Sequence, residues 1–185
     1  MLVERKVLTE QTTSSMGGPG RLSTLIAACR EGKFRNVRKY AMRGKADAEG
    51  LTALMEASLS SQLEIVKYLV NKGVNVNARD NDGITALMIA SVEDHVNIAK
   101  YLVEQKADMN ATTTSRRTAL MLAIKEGHQV VSRFLCENGA DVDATDINER
   151  TALRIATIEG NLDLSMLLCE SGANVNATGI MDEQL

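Results

Sequence analysis

The stretch DNDGITALMIASVEDHVNIAKYLVEQKADMNAT, from Asp80 to Thr112, decides the fold, because its landmarks return along the chain at a fixed step of 33 residues. Thr-Ala-Leu stands at Thr52, Thr85, Thr118 and Thr151. Tyr68-Leu69, Tyr101-Leu102 and Phe134-Leu135 keep that step, as do Gly73, Gly139 and Gly172. So do Asn77-Ala78, Asn110-Ala111, Asp143-Ala144 and Asn176-Ala177. A period of this length marks an array of small helical units, each burying its apolar face against its neighbours.

Within one unit, Leu87, Ile89 and Ala90 precede a break at Asp94, and Val96, Ile98, Ala99, Tyr101, Leu102 and Val103 follow it. That spacing predicts two short amphipathic helices. Thr85 supplies the side-chain oxygen wanted before the first helix, and Gly139 or Gly172 the left-handed residue wanted after the second. From Gly73 to Gly83 the loop ends in Asp-Asn-Asp-Gly, a turn signal flanked by short extended pieces. The unit therefore reads as helix, turn, helix and a projecting β-hairpin-like finger.

These residues resemble the ankyrin repeat family. The likeness is carried by Asp80-Asn-Asp-Gly-Ile-Thr85, Glu126-Gly-His128 and Asn138-Gly-Ala-Asp-Val-Asp-Ala144, and it spans about residues 22 to 178. It implies an all-α ankyrin-repeat solenoid of about five units, at 21–46, 47–79, 80–112, 113–145 and 146–178. Residues 1–20, with Met16-Gly-Gly-Pro-Gly20, read as a flexible N-terminal segment, and 179–185 as a tail. The first unit is four residues short in its finger. Its second helix places Asn36 and Lys39 where later units carry Ile65 and Tyr68, a polar face suited to a terminal cap.

Departures from the family pattern predict stability below that of consensus arrays. Ala follows each Thr where the family carries Pro, and Met55, Met88, Met121 and Arg154 replace its usual His. Ser132 and Ser165 hold inner positions occupied by Val66 and Ala99, so the C-terminal units are expected to open first.

Composition sets the class of protein. Of 185 residues, 44% are apolar and 24% charged, the balance of a folded domain, and the 3% aromatic share leaves a core of aliphatic side chains and Ala. No apolar run is long enough to span a bilayer, and charges near Met1 interrupt any secretory leader. Three cysteines, an odd number, argue against a disulfide framework. The expectation is a monomeric intracellular protein, cytoplasmic or nuclear, in which the sequons at Asn110 and Asn176 carry no glycan.

Chemistry is sparse. There is no phosphate-binding loop, nucleophile elbow or metal-spaced cysteine cluster, so neither enzyme activity nor a cofactor or metal is expected. His95 and His128 stand one repeat apart, in the slot where the family uses His to bond the backbone of a neighbouring turn. Cys136 and Cys169, also one repeat apart, read as buried apolar side chains, since the interhelix spacing of roughly 8–10 Å exceeds disulfide reach. Cys29 reads likewise.

Partner binding is the expected function. The resemblance implies that fingers and first helices line a concave groove holding another protein's peptide or surface. The positions are Glu49, Leu51, Leu59, Asn81, Asp82, Ile84, Val92, Glu93, Ser115, Arg117, Lys125, Asn148, Arg150 and Ile158. They vary between units while packing positions recur. Leu51, Leu59, Ile84, Val92 and Ile158 read as an apolar strip, acidic at its first half through Glu49 and Asp82 and basic at its second through Arg116, Arg117, Arg150 and Arg154.

A rival site lies in the first unit. Residues 21–45 hold eight basic residues against one acid, a balance of +7. The whole chain is −3 and residues 1–20 are neutral, which leaves −10 elsewhere. Arg30, Lys33, Arg35, Arg38, Lys39 and Arg43 would serve an anion, a phosphoinositide or, with only Phe34 and Tyr40 for base stacking, less readily a nucleic acid, and no nucleic acid is expected. The resemblance further implies asparaginyl hydroxylation at Asn77, Asn110 and Asn176.

Overall fold

The computed structural model describes residues 27–33, 35, 37 and 52–177. The four threonines of the repeat set the local geometry. Thr52, Thr85, Thr118 and Thr151 each adopt an extended backbone, and each side chain accepts the N–H of the residue three positions on. That bond satisfies one of the donors left open at a helix start. It opens α1 (Ala53–Leu59), α3 (Ala86–Val92), α5 (Ala119–Lys125) and α7 (Ala152–Ile158). At Thr52 a second bond closes the box: its N–H donates to Met55 Sδ at 3.4 Å, so a thioether is the acceptor.

After a tight turn, each first helix is followed by a second: α2 (Leu63–Asn71), α4 (Val96–Glu104), α6 (Gln129–Glu137) and α8 (Leu162–Glu170). First helices pack on first helices of adjacent units and on the second helix of their own, giving two layers. The layers differ in character. All seven residues of α3 are buried, whereas α4 buries only Ile98, Ala99 and Leu102. The sequence predicts amphipathic helices throughout; the interior first helices α3 and α5 are instead apolar almost all round, being flanked by neighbours on both sides as well as by the second layer, whereas α7 buries only Ala152, Ile155 and Ala156. Helices of seven residues would not persist alone in water. Packing holds them.

Backbone handedness shapes the turns. Gly73, Gly139 and Gly172 follow second helices at φ of 78°, 90° and 86°, as the sequence predicts, but Lys106 takes the same slot at φ 67° with a side chain to accommodate.

The fingers are organised by a buried polar side chain at each base. Asp80 Oδ1 accepts the N–H groups of Asp82 and Ile84, Asp146 Oδ1 those of Asn148 and Arg150, and Thr113 Oγ1 that of Arg117. Adjacent fingers join through Thr114 N–H to Asp82 O at 2.8 Å and Ile147 N–H to Ser115 O at 3.0 Å. These bonds are too few for a strand, and none occurs among the described residues.

Candidate interaction surface

The two histidines serve packing between units. His95 Nε2 meets Leu59 O at 3.2 Å, and His128 Nε2 meets Val92 O at 2.8 Å. Opposite a carbonyl oxygen each ring nitrogen is an N–H donor. Each bond ties the start of a second helix to the end of the first helix one unit back. No group of metal-binding side chains occurs among the described residues, and no helix there is long and apolar enough to cross a membrane.

The expected apolar strip is corrected by burial. Ile84 and Val92 are only 8% and 9% exposed and belong to the core. Both lie in an interior unit, enclosed by neighbours on two sides. Leu59 is half-buried, and its carbonyl is held by His95. Ile158, which occupies the register of Val92 in the last described unit, is 59% exposed because no unit among the described residues flanks it on the far side. Leu51 and Glu49 lie outside the described residues. Ile147, at a finger tip, adds an exposed apolar side chain.

The polar positions divide similarly. Asn81, Asn148 and Lys125 are exposed, while Asp82, Glu93 and Ser115 are half-buried, Asp82 and Ser115 through their place in the finger network. Arg117 and Arg150 converge on the wholly buried Asp146. Arg150 Nε and Nη2 donate to Asp146 Oδ2 at 3.1 and 2.8 Å, and Arg117 Nε stands 3.8 Å from that oxygen. Arg150's charge is therefore engaged within the chain rather than fully free for a partner. Burial disfavours the Asp146 carboxylate, but hydrogen bonds from the Arg150 side chain and from the backbone of Arg150 and Asn148 outweigh that and hold its pKa below the ordinary aspartate value. The sequence reading missed Asp146, although its register with Asp80 marks it.

Four of the expected positions meet in one place. Arg117, Lys125, Arg150 and Ile158, with Met121, Ile155 and Glu159, line a shallow dent between the last two described fingers and their first helices.

The basic first unit is less available than its charge implies. Arg30 Nε donates to Glu56 Oε1 at 2.7 Å, pairing with a carboxylate that is itself buried, and Lys33 is paired with Glu31. Arg35 is exposed, whereas Arg38, Lys39 and Arg43, with the proposed cap residues Asn36 and Lys39, lie outside the described residues.

Asn77 and Asn110 brace successive loops. Asn77 Oδ1 accepts Asp108 N–H, Asn110 Oδ1 accepts Asp141 N–H, and Asp143 Oδ1 accepts Asn174 N–H in the next step. Asn176 is exposed. Among the cysteines, burial pushes the Cys29 thiol up to about 12, reinforced by Glu56, and raises Cys136. The expectation of burial holds for Cys29 and is corrected for the other two: Cys136 is half-buried, and Cys169, at the same register in the last described unit, is exposed.

Stacked helix pairs capped by threonine, bridged by histidine to the preceding unit and joined by projecting turns define a helical repeat solenoid. A family model for ankyrin repeats, in three copies, matches residues 25–113 and 107–179, and the chain belongs to the ankyrin repeat family. Ankyrin repeats generally mediate protein–protein interaction. No curated protein matches the chain.

Proposed function

We propose that this chain is a non-catalytic adaptor that holds a partner protein against the concave face formed by its fingers and first helices. The observation that supports this is the convergence of Arg117, Lys125, Arg150 and Ile158, from two fingers and two first helices, on one dent. Exposed Asn81, Ile147 and Asn148 continue that face along the finger tips. The contact is made by positions that differ between units, so selectivity comes from individual side chains on a shared scaffold. In this reading the chain acts as a monomer in the cytoplasm or nucleus.

Capture from cell lysate with the full chain tests this. A variant carrying Lys125→Glu, Asn148→Arg and Ile147→Asp should lose the captured proteins at unchanged helical circular dichroism. An outer-helix control, Glu104→Lys with Glu137→Lys, should retain them. Equal capture by both variants would rule out the face.

The basic first unit remains the second reading, with exposed Arg35 as its described contribution; anionic vesicles that bind at low salt and release at moderate salt would support it. Hydroxylation is proposed at Asn77, Asn110 and Asn176, all exposed; at Asn77 and Asn110 the side chain must leave its bond to the next loop to enter an enzyme. Intact mass after coexpression with an asparaginyl hydroxylase reports it.

A further inference from the structure

The dent presents two kinds of surface side by side. Its base is aliphatic, with Met121 and Ile155 buried and Ile158 open to solvent. Its wall is cationic, formed by Arg117, Arg150 and Lys125.

These cations are unequally committed. Arg150 gives two side-chain donors to Asp146 Oδ2, and Asp146 Oδ1 is occupied by two backbone N–H groups. Arg117 comes second to a carboxylate already filled. It stands at 3.8 Å, beyond hydrogen-bond distance, and its Nε is buried with no hydrogen-bond partner. The Nε itself has no accessible surface, but the Arg117 side chain is 29% exposed and lines the dent, so the rest of its guanidinium is placed to meet an acceptor from outside. The acceptor that matches a guanidinium in charge and shape is a carboxylate.

The surrounding charges limit how much anion fits. Asp146 lies wholly buried and presents no charge at the surface, but Glu159 stands on the rim and Glu126 lies 3.7 Å from the Lys125 ammonium. Such a setting accommodates one carboxylate beside an apolar group and disfavours a polyanion such as nucleic acid.

We propose that the dent is a subsite for a segment of the partner protein carrying an aspartate or glutamate next to an aliphatic side chain. The carboxylate takes Arg117, and the aliphatic group covers Ile158. This rests on the reading of the concave face as the partner-binding surface.

Selection of a displayed library of short random peptides on the full chain is the test. Enriched peptides should share an acid adjacent to Leu, Ile, Met or Val. The tightest, synthesised, should lose about tenfold or more in affinity on Arg117→Gln, the scale of one charge-assisted hydrogen bond. Ile158→Asp, at an exposed position that folding does not need, should weaken it similarly. Arg117→Lys should retain part of the affinity, and Glu159→Gln should raise it.

Enriched peptides without an acid, or affinities untouched by Arg117→Gln and Ile158→Asp, would overturn the subsite. If those same peptides still lose binding to the triple variant of the concave face, the broader reading stands alone. Peptides indifferent to every variant, or no enrichment at all, would overturn the subsite, and continued lysate capture by the triple variant would separately remove the face.

Discussion

Arg150 closes its own finger on Asp146: the guanidinium donates through Nε and Nη2 to a carboxylate that is wholly buried, four residues earlier in the chain. The same carboxylate accepts the backbone N–H groups of Asn148 and Arg150, so one side chain fixes both the turn and the arginine. Removing it leaves two backbone donors and the Arg150 guanidinium without their acceptor, and takes away the charge that faces Arg117. Asp146→Ala should lower unfolding free energy by about 3 kcal/mol, read from chemical denaturation.

Acid should reach the same site. Asp146 has a folded pKa below its unfolded one, so its contribution is present above the ordinary aspartate value of about 3.9 and is lost as pH falls through the folded value. Thermal melts followed downward from pH 5 should show the wild type losing stability more steeply than Asp146→Asn. Parallel curves would remove Asp146 as the source.

Lys106 stands in the left-handed conformation that three other units give to glycine. Lys106→Gly should stabilise the chain by about 1 kcal/mol. Gly139→Ala should cost a similar amount through backbone strain alone, since an added Cβ there meets nothing within 4 Å. The two melting shifts should have opposite signs.

Ser132 places a hydroxyl in the interior with no hydrogen-bond partner. Ser132→Ala should raise stability by about 1 kcal/mol, because the desolvation of the hydroxyl is removed and the lost volume is small. Ser165 differs: its Oγ donates to Asn161 O at 2.9 Å. Ser165→Ala should therefore stabilise less, and equal shifts in the two melts would contradict this distinction.

Thr118 begins a helix whose first six residues are buried. Thr118→Ala leaves the Met121 N–H without the threonine oxygen and should cost about 1 kcal/mol. Hydrogen exchange should speed first at the N-terminal turn of α5.

Much of this was legible from periodicity. Thr52, Thr85, Thr118 and Thr151 announced four helix starts, and the structure places each as the cap. His95 and His128 were readable as inter-unit bonds from the resemblance. Register also located Arg117, Lys125, Arg150 and Ile158 on one face, because positions one period apart stack. Exposure was not legible. Val92 and Ile158 share a register and an apolar character, yet one is core and the other surface.

What the sequence by itself determined is the unit: its 33-residue step, its caps, its turns and the register that aligns them, all dictated by local backbone chemistry repeated in order. What only the tertiary structure decided is which side chains remain for a partner. A residue's exposure depends on whether a neighbouring unit covers it, and the freedom of Arg117 depends on Arg150 having filled Asp146 first. Both are properties of groups brought together from different units, and no single repeat contains them.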